Sequence, residues 1–373
     1  MMVLLLLVLF VFGFYVAHTF HYSRRWSENF HLSLEFSEEQ AGEGDVLFLY
    51  ETAVNNKKMR LPAICVKFQT AKELSFADVK SGTVSDLFYR NDVMSVDGFQ
   101  KVRRKLRFTC KKRGIYEIHS AELVSYDIFF SHTFVNKLDV SASLCVYPSL
   151  IDIERLIPVF RELNGGLATP VPLFEDPYAY AGVRDYTPQD SMRRIHWSAS
   201  ARTGKWQVKT TEYTASAPVA ILLNLESPGV FTNTDLMEES IRIAYSLIYY
   251  LGSRGITTTL VANADERLCL SGCGRGYMSS VRRALAVMAY RRVPMPGEDF
   301  LAGDMEKITP GSRVILISPS GKKPMQELVL SCLQRGVLLT WVAPMISANG
   351  ADSEFHEMLP GLRAHVLKWG DNG

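Results

Sequence analysis

A histidine and three serines lie close together in the middle of the chain and could, by type, carry out acyl transfer. They are His196, Ser191, Ser198 and Ser200, and a histidine that takes the proton of a serine hydroxyl activates that oxygen as a nucleophile. None of the serines stands in the G-x-S-x-G sequence of a nucleophile elbow. Closeness in sequence also says little about a triad whose members follow no fixed order. We therefore expect no catalytic residues here, and a hydrolase of unknown substrate stays an alternative.

Two short segments resemble the end of a phosphate-binding loop. They are Thr203-Gly204-Lys205 and Ser320-Gly321-Lys322. A phosphate loop also needs a glycine about five residues before its last glycine, and those two positions hold Ala199 and Leu316. We therefore expect neither segment to bind a nucleotide, and we expect no cofactor.

The middle of the chain also combines many charges with two tryptophans. In one interpretation Asp190 pairs with Arg194 or Arg202, because the planar guanidinium binds a carboxylate through two hydrogen bonds. Trp197 and Trp206 then pack on a sheet, and the segment fastens two domains together. In the other interpretation the cations are exposed and bind an acidic partner. Both interpretations draw on the same residues, which are Arg184, Asp190, Arg193, Arg194, Trp197, Arg202, Lys205 and Lys209.

Several positions in this stretch follow a recognisable spacing, namely Gly182, Arg184, Tyr186, Asp190, Arg194, Ile195, Trp197, Ala201, Arg202, Gly204, Val208 and Lys209. The pattern resembles the signature of a bacterial family called domain of unknown function 58. Gln189 departs from it, because the family usually has glycine at that position. The resemblance implies a membrane-anchored protein that associates with a MoxR-type AAA+ ATPase and sometimes with a transglutaminase-like membrane protein. It further implies a role in the assembly or maturation of envelope complexes.

The same resemblance implies a C-terminal domain of the von Willebrand factor type A fold, with a degenerate ion site. That fold holds a divalent cation through D-x-S-x-S after its first strand, where a carboxylate and two hydroxyls supply oxygen ligands. Here the corresponding positions are Asn224, Glu226 and Pro228. With both serines missing, we expect no metal. The pair Cys269 and Cys273 lacks the second half of a zinc site, so the six cysteines are interpreted as reduced thiols.

An apolar run at the N-terminus predicts a transmembrane anchor over residues 1–23. Met1 to Ala17 carries no charge, and Arg24 and Arg25 follow soon after; about 20 apolar residues cross a bilayer as a helix. A cleaved signal peptide is the rival interpretation, but no positive charge precedes the run and no clear cleavage site follows it. The positive-inside rule then places Arg24, Arg25 and the bulk of the chain in the cytoplasm.

Residues 24–148 are rich in short alternating segments that predict an antiparallel β-sandwich domain. Asn55 to Lys58 are interpreted as a hairpin turn. The basic run from Lys101 to Arg113 alternates with apolar residues, which favours a solvated strand face over a site for lipid headgroups or polyanions. The predicted strands are Leu32–Phe36, Val46–Val54, Ala63–Phe68, Lys101–Cys110, Gly114–Tyr126 and Leu138–Tyr147.

Residues 217–373 alternate strands with helices, which predicts a doubly wound α/β sheet; residues 149–216 contain the signature and join the two domains. Gly272 to Gly276 are expected at the carboxyl ends of the strands, where such sheets bind partners. The predicted strands are Val219–Leu225, Ile256–Ala262, Val314–Ser318, Val337–Ala343 and His365–Trp369, and the predicted helices are Asp235–Ser253, Tyr277–Tyr290 and Pro324–Arg335.

Composition agrees with a multidomain α+β protein and excludes several classes. The chain has 373 residues, of which 47% are hydrophobic, so it is neither disordered nor fibrous. Its formal net charge of +2 gives no general reason to expect a nucleic-acid partner. We therefore expect a non-enzymatic, membrane-anchored adaptor, with a membrane-surface protein that binds lipids or polyanions as the alternative.

Overall fold

The chain divides into two compact units, Met1–Ser149 and Leu150–Gly373. The computed structural model describes residues 2–77, 83–84, 87–127, 129–163, 180–187, 192, 195–211, 218–226, 233–289, 295–305, 308–346, 355 and 358–369. The described residues form helices and several sheets, so the predicted α+β fold class with an apolar N-terminal helix is confirmed. Each unit has hydrophobic cores of its own.

The first unit begins with a long apolar helix, α1 (Met2–Arg25). Over Val3–Arg25 this helix is long and apolar enough to cross a membrane, a test that a signal sequence near the N-terminus also passes. Its side chains are exposed from Val3 to Phe14. Its C-terminal part differs, because Tyr22 belongs to the hydrophobic core of the strands that follow.

Two sheets face each other in the first unit. One has the order β1-β3-β8-β5 and the other the order β2-β10-β9-β4-β7-β6, and every strand pair is antiparallel except β2 with β10. Alternate side chains of β3, such as Leu49 and Ala53, are buried between the sheets with Phe108 and Leu123. The strands are β1 (Phe30–Phe36), β2 (Gln40–Gly42), β3 (Val46–Asn55), β4 (Leu61–Ala71), β5 (Leu74–Phe76), β6 (Thr83–Val84), β7 (Leu87–Val96), β8 (Lys101–Cys110), β9 (Gly114–Tyr126) and β10 (Thr133–Tyr147).

The connection after β3 corrects one prediction and the face of β8 confirms another. Asn55 to Lys58 do not form a hairpin turn, because β3 and β4 belong to different sheets. Asn55 is itself the last residue of β3, and its buried amide donates to the Met59 carbonyl at 2.8 Å. On β8 the exposed cations stack on rings of the neighbouring strand, with Arg103 4.0 Å from the Tyr50 ring centroid. Within β8, the cations Lys101, Arg103, Lys105 and Arg107 thus form a solvated strand face, whereas Arg113, beyond the strand, is buried.

The second unit is built around a six-stranded sheet of order β15-β14-β13-β16-β17-β18, and β11 and β12 form a separate two-stranded sheet. Its elements are α2 (Ile153–Leu163), β11 (Tyr180–Asp185), α3 (Trp197–Thr203), β12 (Gln207–Thr211), β13 (Val219–Leu223), α4 (Thr234–Gly252), β14 (Thr258–Asn263), β15 (Arg267–Gly272), α5 (Gly274–Val287), α6 (Gly297–Met305), β16 (Arg313–Ile317), α7 (Lys323–Gln334), β17 (Leu338–Ile346) and β18 (Ala364–Trp369).

Helices cover both faces of the six-stranded sheet. Ile221 and Leu223 of β13 pack in one core with α2, α4 and α5, whereas Leu222 packs in another with α6 and α7. The pairs β13–β14, β13–β16, β16–β17 and β17–β18 are parallel. The chain passes from β13 to β14 on one side and later to β16 on the other. This reversal beside β13 is where sheets of this kind place their ligand sites.

The glycine-rich segment that begins at the end of β15 lies at the opposite end of the parallel strands from the one predicted. Strand β15 is antiparallel to β14, and Gly272 pairs with Thr258, the first residue of β14. The segment from Gly272 to Gly276 is therefore at the amino ends of the parallel strands. The sequence pattern did not reveal the extra strand that reverses the chain.

Candidate functional site

The signature residues that the structure describes form a hairpin, here called the signature hairpin, made of residues 180–187 and 195–211. Its strands β11 and β12 are antiparallel, and an isolated bridge joins Ile195 to Val208. Both of these side chains are buried. The side-chain amide of Gln207 donates to the Asp185 carboxylate, which ties the two strands together.

His196 holds the start of α3 inside this hairpin. Its ring Nδ1 accepts a hydrogen bond from the Ala199 amide at 3.1 Å, and the Ser198 hydroxyl lies 3.0 Å from the same nitrogen. The helix ends at Gly204, whose φ of 70° is in the left-handed region that favours glycine. The neighbouring serine and histidine therefore form a helix cap, a role that needs no catalysis. Ser191 lies outside the described residues.

The two tryptophans of the signature hairpin are on its surface. The side chain of Trp197 is 69% exposed and that of Trp206 is 51% exposed. Trp206 meets the Tyr186 ring edge-on, with 5.4 Å between ring centroids. The exposure of both tryptophans favours the interpretation in which the segment is a binding surface over the one in which they pack on a sheet, and the buried contacts of the hairpin are made by Ile195 and Val208.

Three of the predicted cations are exposed on the same hairpin: Arg184, Arg202 and Lys205. Arg184 is on β11 and donates to the Asp185 carbonyl at 3.2 Å, whereas Arg202 is in the last turn of α3. Lys209 pairs with Val183 through the backbone, and its side chain lies outside the described part. Asp190, Arg193 and Arg194 also lie outside the described residues, so the pairing expected for Asp190 stays a prediction.

A second polar cluster, here called the crest network, lies at the carboxyl ends of β13, β14 and β16, where the chain reverses beside β13. Its centre is the fully buried Asn224. The Asn224 amide donates to the Ser318 hydroxyl at 3.0 Å, and its carbonyl oxygen accepts from the Asn263 amide at 2.6 Å. The same oxygen accepts the Glu226 backbone amide at 3.1 Å. Both polar atoms of the Asn224 side chain are thus engaged within the protein.

Glu226 is engaged in a similar way. One of its carboxylate oxygens pairs with the Lys322 ammonium, and the other accepts the Gly297 amide at 2.8 Å. Gly297 begins α6 and approaches so closely that a Cβ there would lie 2.5 Å from the Asn224 amide nitrogen. The positive charge facing Glu226 is therefore supplied by a lysine. Within the described part of the chain, no group of three or more His, Cys, Asp and Glu residues is placed to hold a metal ion.

The sequence pattern indicated Asn224 and Glu226 as candidate site residues, but it did not indicate that Lys322 and Asn263 are their partners. Lys322 was considered only as part of an incomplete phosphate loop, and Asn263 was not predicted to belong to a site. A signal for Asn263 was present, since it ends the strand next to β13 in a parallel sheet, where carboxyl ends meet at one edge. No local pattern links Glu226 to Lys322, because 96 residues separate them.

Several solved structures are weakly similar to about a third of this chain. PapD-like domain 7 of human CEP192 is 10% identical with a TM-score of 0.20, and 32% of this chain and 86% of that chain align. The CARDB domain of the PF1109 protein from Pyrococcus furiosus is 16% identical with a TM-score of 0.20, covering 31% of this chain and 90% of that chain. A non-cellulosomal cohesin from Archaeoglobus fulgidus is 12% identical with a TM-score of 0.22, covering 34% and 96%. Sequence identities and TM-scores this low do not indicate a shared function.

Comparison of the sequence gives a more specific result. No curated protein matches this chain. The model of a family described as protein of unknown function DUF58 matches residues 182–312, which contain the signature hairpin from Gly182 onward and the crest residues Asn224, Glu226 and Asn263. Over residues 182–312 the chain is therefore similar to the DUF58 family.

Proposed function

We propose that this protein is a non-enzymatic adaptor, anchored in the cell membrane by α1 with the bulk of the chain in the cytoplasm, and that its signature hairpin is a docking surface. The observation that carries the proposal is that Trp197, Trp206, Arg184, Arg202 and Lys205 are all exposed on the signature hairpin. Tryptophan and arginine are the residues most often found at energetic centres of protein interfaces. An exposed cluster of them costs solubility unless a partner covers it.

The charge of this surface indicates the chemistry of the partner. Arg184, Arg202 and Lys205 are exposed on the same hairpin as the two tryptophans, and this combination favours an acidic partner surface with a groove for an indole ring. By family resemblance the partner is a MoxR-type AAA+ ATPase. A transglutaminase-like membrane protein is a further candidate from the same resemblance, and envelope complexes are the expected clients.

The second unit fits this adaptor role as a von Willebrand factor type A-like domain that works without its ion. Helices on both faces of a mainly parallel sheet agree with such a fold. In the crest network Lys322 supplies to Glu226 the positive charge that a divalent cation supplies elsewhere. A domain of this kind would bind its partner through side chains, independently of metal.

The anchor, as opposed to a cleaved signal sequence, is supported by the end of α1. Tyr22 is only 1% exposed, and its hydroxyl lies 2.7 Å from the Ser125 hydroxyl inside the first unit. Trp26, just beyond the helix, is also part of that core. Cleavage near residue 22 would remove a large buried side chain, at a cost of about 3–5 kcal/mol. We expect the intact mass of the protein extracted from membranes to include α1.

The docking surface is tested by co-purification of the full-length protein from its own membranes with and without ATP. The variant Trp197→Ala with Lys205→Glu is expected to lose about tenfold or more of the bound AAA+ ATPase, because removing a central contact costs about 2 kcal/mol or more. The matched control is Tyr249→Ala with Arg254→Glu, an exposed aromatic and cation at the end of α4 in the same unit. Equal recovery of the ATPase with both variants would rule out the hairpin as the docking surface.

A further inference from the structure

The part of α1 that contains Tyr15 and His18 packs against the turn between β9 and β10. Tyr15 and His18, which are three residues apart and share a helix face, both meet the ring of Phe129 edge-on, at centroid distances of 5.3 and 5.5 Å. The Tyr15 hydroxyl also donates to the Ser131 hydroxyl at 2.9 Å. The turn between β9 and β10 is thereby attached to the helix well before the helix ends.

Asp127 fixes the shape of this turn. Its carboxylate is buried and accepts hydrogen bonds from the Ser131 amide at 2.7 Å and from the Ser131 hydroxyl at 2.6 Å. The Phe130 amide donates to the Asp127 carbonyl at 3.0 Å, which closes the turn. The aromatic residues at its tip are therefore carried on a rigid support.

The tip of the turn exposes two phenylalanines. Phe129 is 47% exposed and Phe130 is 65% exposed. Phe130 has a φ of 53°, a left-handed conformation that is unfavourable for a bulky residue. The fold thus holds a large apolar side chain in a strained conformation where water would cover it. Backbone strain clusters at functional sites, but Phe99 in the turn between β7 and β8 has the same conformation, so what distinguishes the β9–β10 turn is its contact with α1.

The length of the helix determines how deep this turn lies if α1 crosses a bilayer. The part of α1 that the first unit leaves uncovered, Val3 to Phe14, is about 18 Å long at about 1.5 Å per residue. The hydrocarbon core of a bilayer is about 30 Å thick. The segment that is long and apolar enough to cross a membrane, Val3–Arg25, also contains the turns that carry Tyr15 and His18. Those are the turns that contact Phe129, so the tip lies within or at the edge of the lipid.

We propose that the β9–β10 turn is a membrane wedge, in which Phe129 and Phe130 insert into the lipid beside α1 and hold the first unit against the bilayer surface. The proposal rests on the anchor of the proposed function. Aromatic side chains at this depth gain stability from the interface between headgroups and acyl chains. The contact would fix the orientation of the first unit relative to the membrane, which a flexible link after α1 would leave undefined.

Depth-dependent fluorescence quenching of the full-length protein in vesicles tests the wedge. Cys145, Cys269 and Cys273 are first replaced by serine, since the three remaining cysteines are buried. The fluorophore NBD is then attached to Phe130→Cys or to Ile115→Cys. Ile115 is a suitable control because it is 48% exposed and lies at the far end of β9, about 35 Å from the turn by strand rise. The vesicles contain phosphatidylcholine, phosphatidylglycerol and lipids with a nitroxide on the acyl chain.

A third label separates the wedge from the anchor. NBD on Phe10→Cys, in the exposed apolar part of α1, reports whether the helix is in the bilayer. We expect strong nitroxide quenching at positions 10 and 130 and little at position 115. Quenching at 10 with equal, weak quenching at 130 and 115 would overturn the wedge and leave the anchor intact. Weak quenching at all three positions would overturn both.

Discussion

The carboxylate of Glu226 and the ammonium of Lys322 form an ion pair at the carboxyl ends of the sheet in the second unit, between the segment after β13 and the residue before α7. Glu226 is largely buried and Lys322 is more exposed. Because the same carboxylate accepts the first amide of α6, the pair joins β13, α6 and α7 at one point. The carboxylate of the crest network is thus neutralised by the ammonium of Lys322.

Replacing Lys322 by methionine should therefore destabilise the second unit by about 1–3 kcal/mol, since it leaves a mostly buried carboxylate without its counter-charge. Urea unfolding in detergent measures the change. Lys323→Met is the matched control, because Lys323 is an exposed neighbour, and it should stay within about 0.5 kcal/mol of the wild type. The double variant Glu226→Gln with Lys322→Met should recover part of the loss. A Lys322→Met variant as stable as Lys323→Met would show that the pair contributes nothing.

Gly297 should tolerate no side chain. A Cβ at this position would lie 2.5 Å from Asn224 Nδ2 and 2.8 Å from Glu226 Oε2, so Gly297→Ala must displace the crest network at a cost of about 1–3 kcal/mol. Gly303, in the same helix, has nothing within 4 Å of its Cβ position, and Gly303→Ala should instead stabilise by about 0.5–1 kcal/mol. Thermal unfolding of the two variants compares them directly. Shifts of the same sign would contradict the close approach seen at Gly297.

Sequence patterns predicted the elements of this fold better than their pairing. The bounds predicted for β8 and β9, Lys101–Cys110 and Gly114–Tyr126, are those observed, because alternation of apolar and polar residues is a local property of a strand. The pairing of β15 with β14 was missed, and with it the position of Gly272. Which strand lies beside which depends on contacts between distant residues, and no local pattern records them.

The same limit applied to the candidate site. Asn224 and Glu226 were found because they directly follow a buried strand, whereas Lys322 reaches Glu226 only through the folded sheet. The exposure of Trp197 was also not predictable. In a helix as short as α3, apolar residues do not recur often enough to define a buried face.

Asp127 should contribute to stability in a pH-dependent way. Burial by itself would raise the pKa of Asp127, but hydrogen bonds from Ser131 and His132 outweigh it and hold the pKa below its usual value of 3.8. A lowered pKa in the folded state means that the contribution is present above pH 3.8 and is lost as the pH falls through the lower folded-state value. Asp127→Asn should therefore cost about 1–3 kcal/mol at pH 7 and progressively less in acid.

The control for Asp127 is Asp139→Asn, an exposed aspartate on β10. Its stability should follow that of the wild type at every pH. Urea unfolding at pH 7 and in steps toward pH 3 gives both curves. A constant difference between Asp127→Asn and the wild type across this range would mean that the carboxylate charge is not what stabilises the turn.

The pH dependence of stability that Glu51 causes is expected to have the opposite sign to that of Asp127. It is fully buried between the two sheets of the first unit, and neither carboxylate oxygen has a hydrogen-bond partner among the described residues. Burial and, to a smaller extent, the charge of Asp92 raise the pKa of Glu51 to about 8, against the opposing effect of Arg104 and Arg90. At neutral pH the side chain is therefore mostly protonated in the folded protein and ionised in the unfolded chain. Each unit of such a shift costs about 1.4 kcal/mol.

The stability of the first unit should consequently fall as the pH rises from about 4.5, the ordinary pKa of a glutamate, to about 8, and level off above that. Glu51→Gln, which mimics the protonated acid, should remove this slope and exceed the wild type by a few kcal/mol at pH 8. Glu35→Gln, an exposed position on the neighbouring strand β1, should keep the wild-type slope. Urea unfolding at pH 5, 6.5 and 8 distinguishes the three proteins. If Glu51→Gln and Glu35→Gln show the same slope, Glu51 is already ionised in the folded protein and must draw on solvent or on Arg104 for its partner.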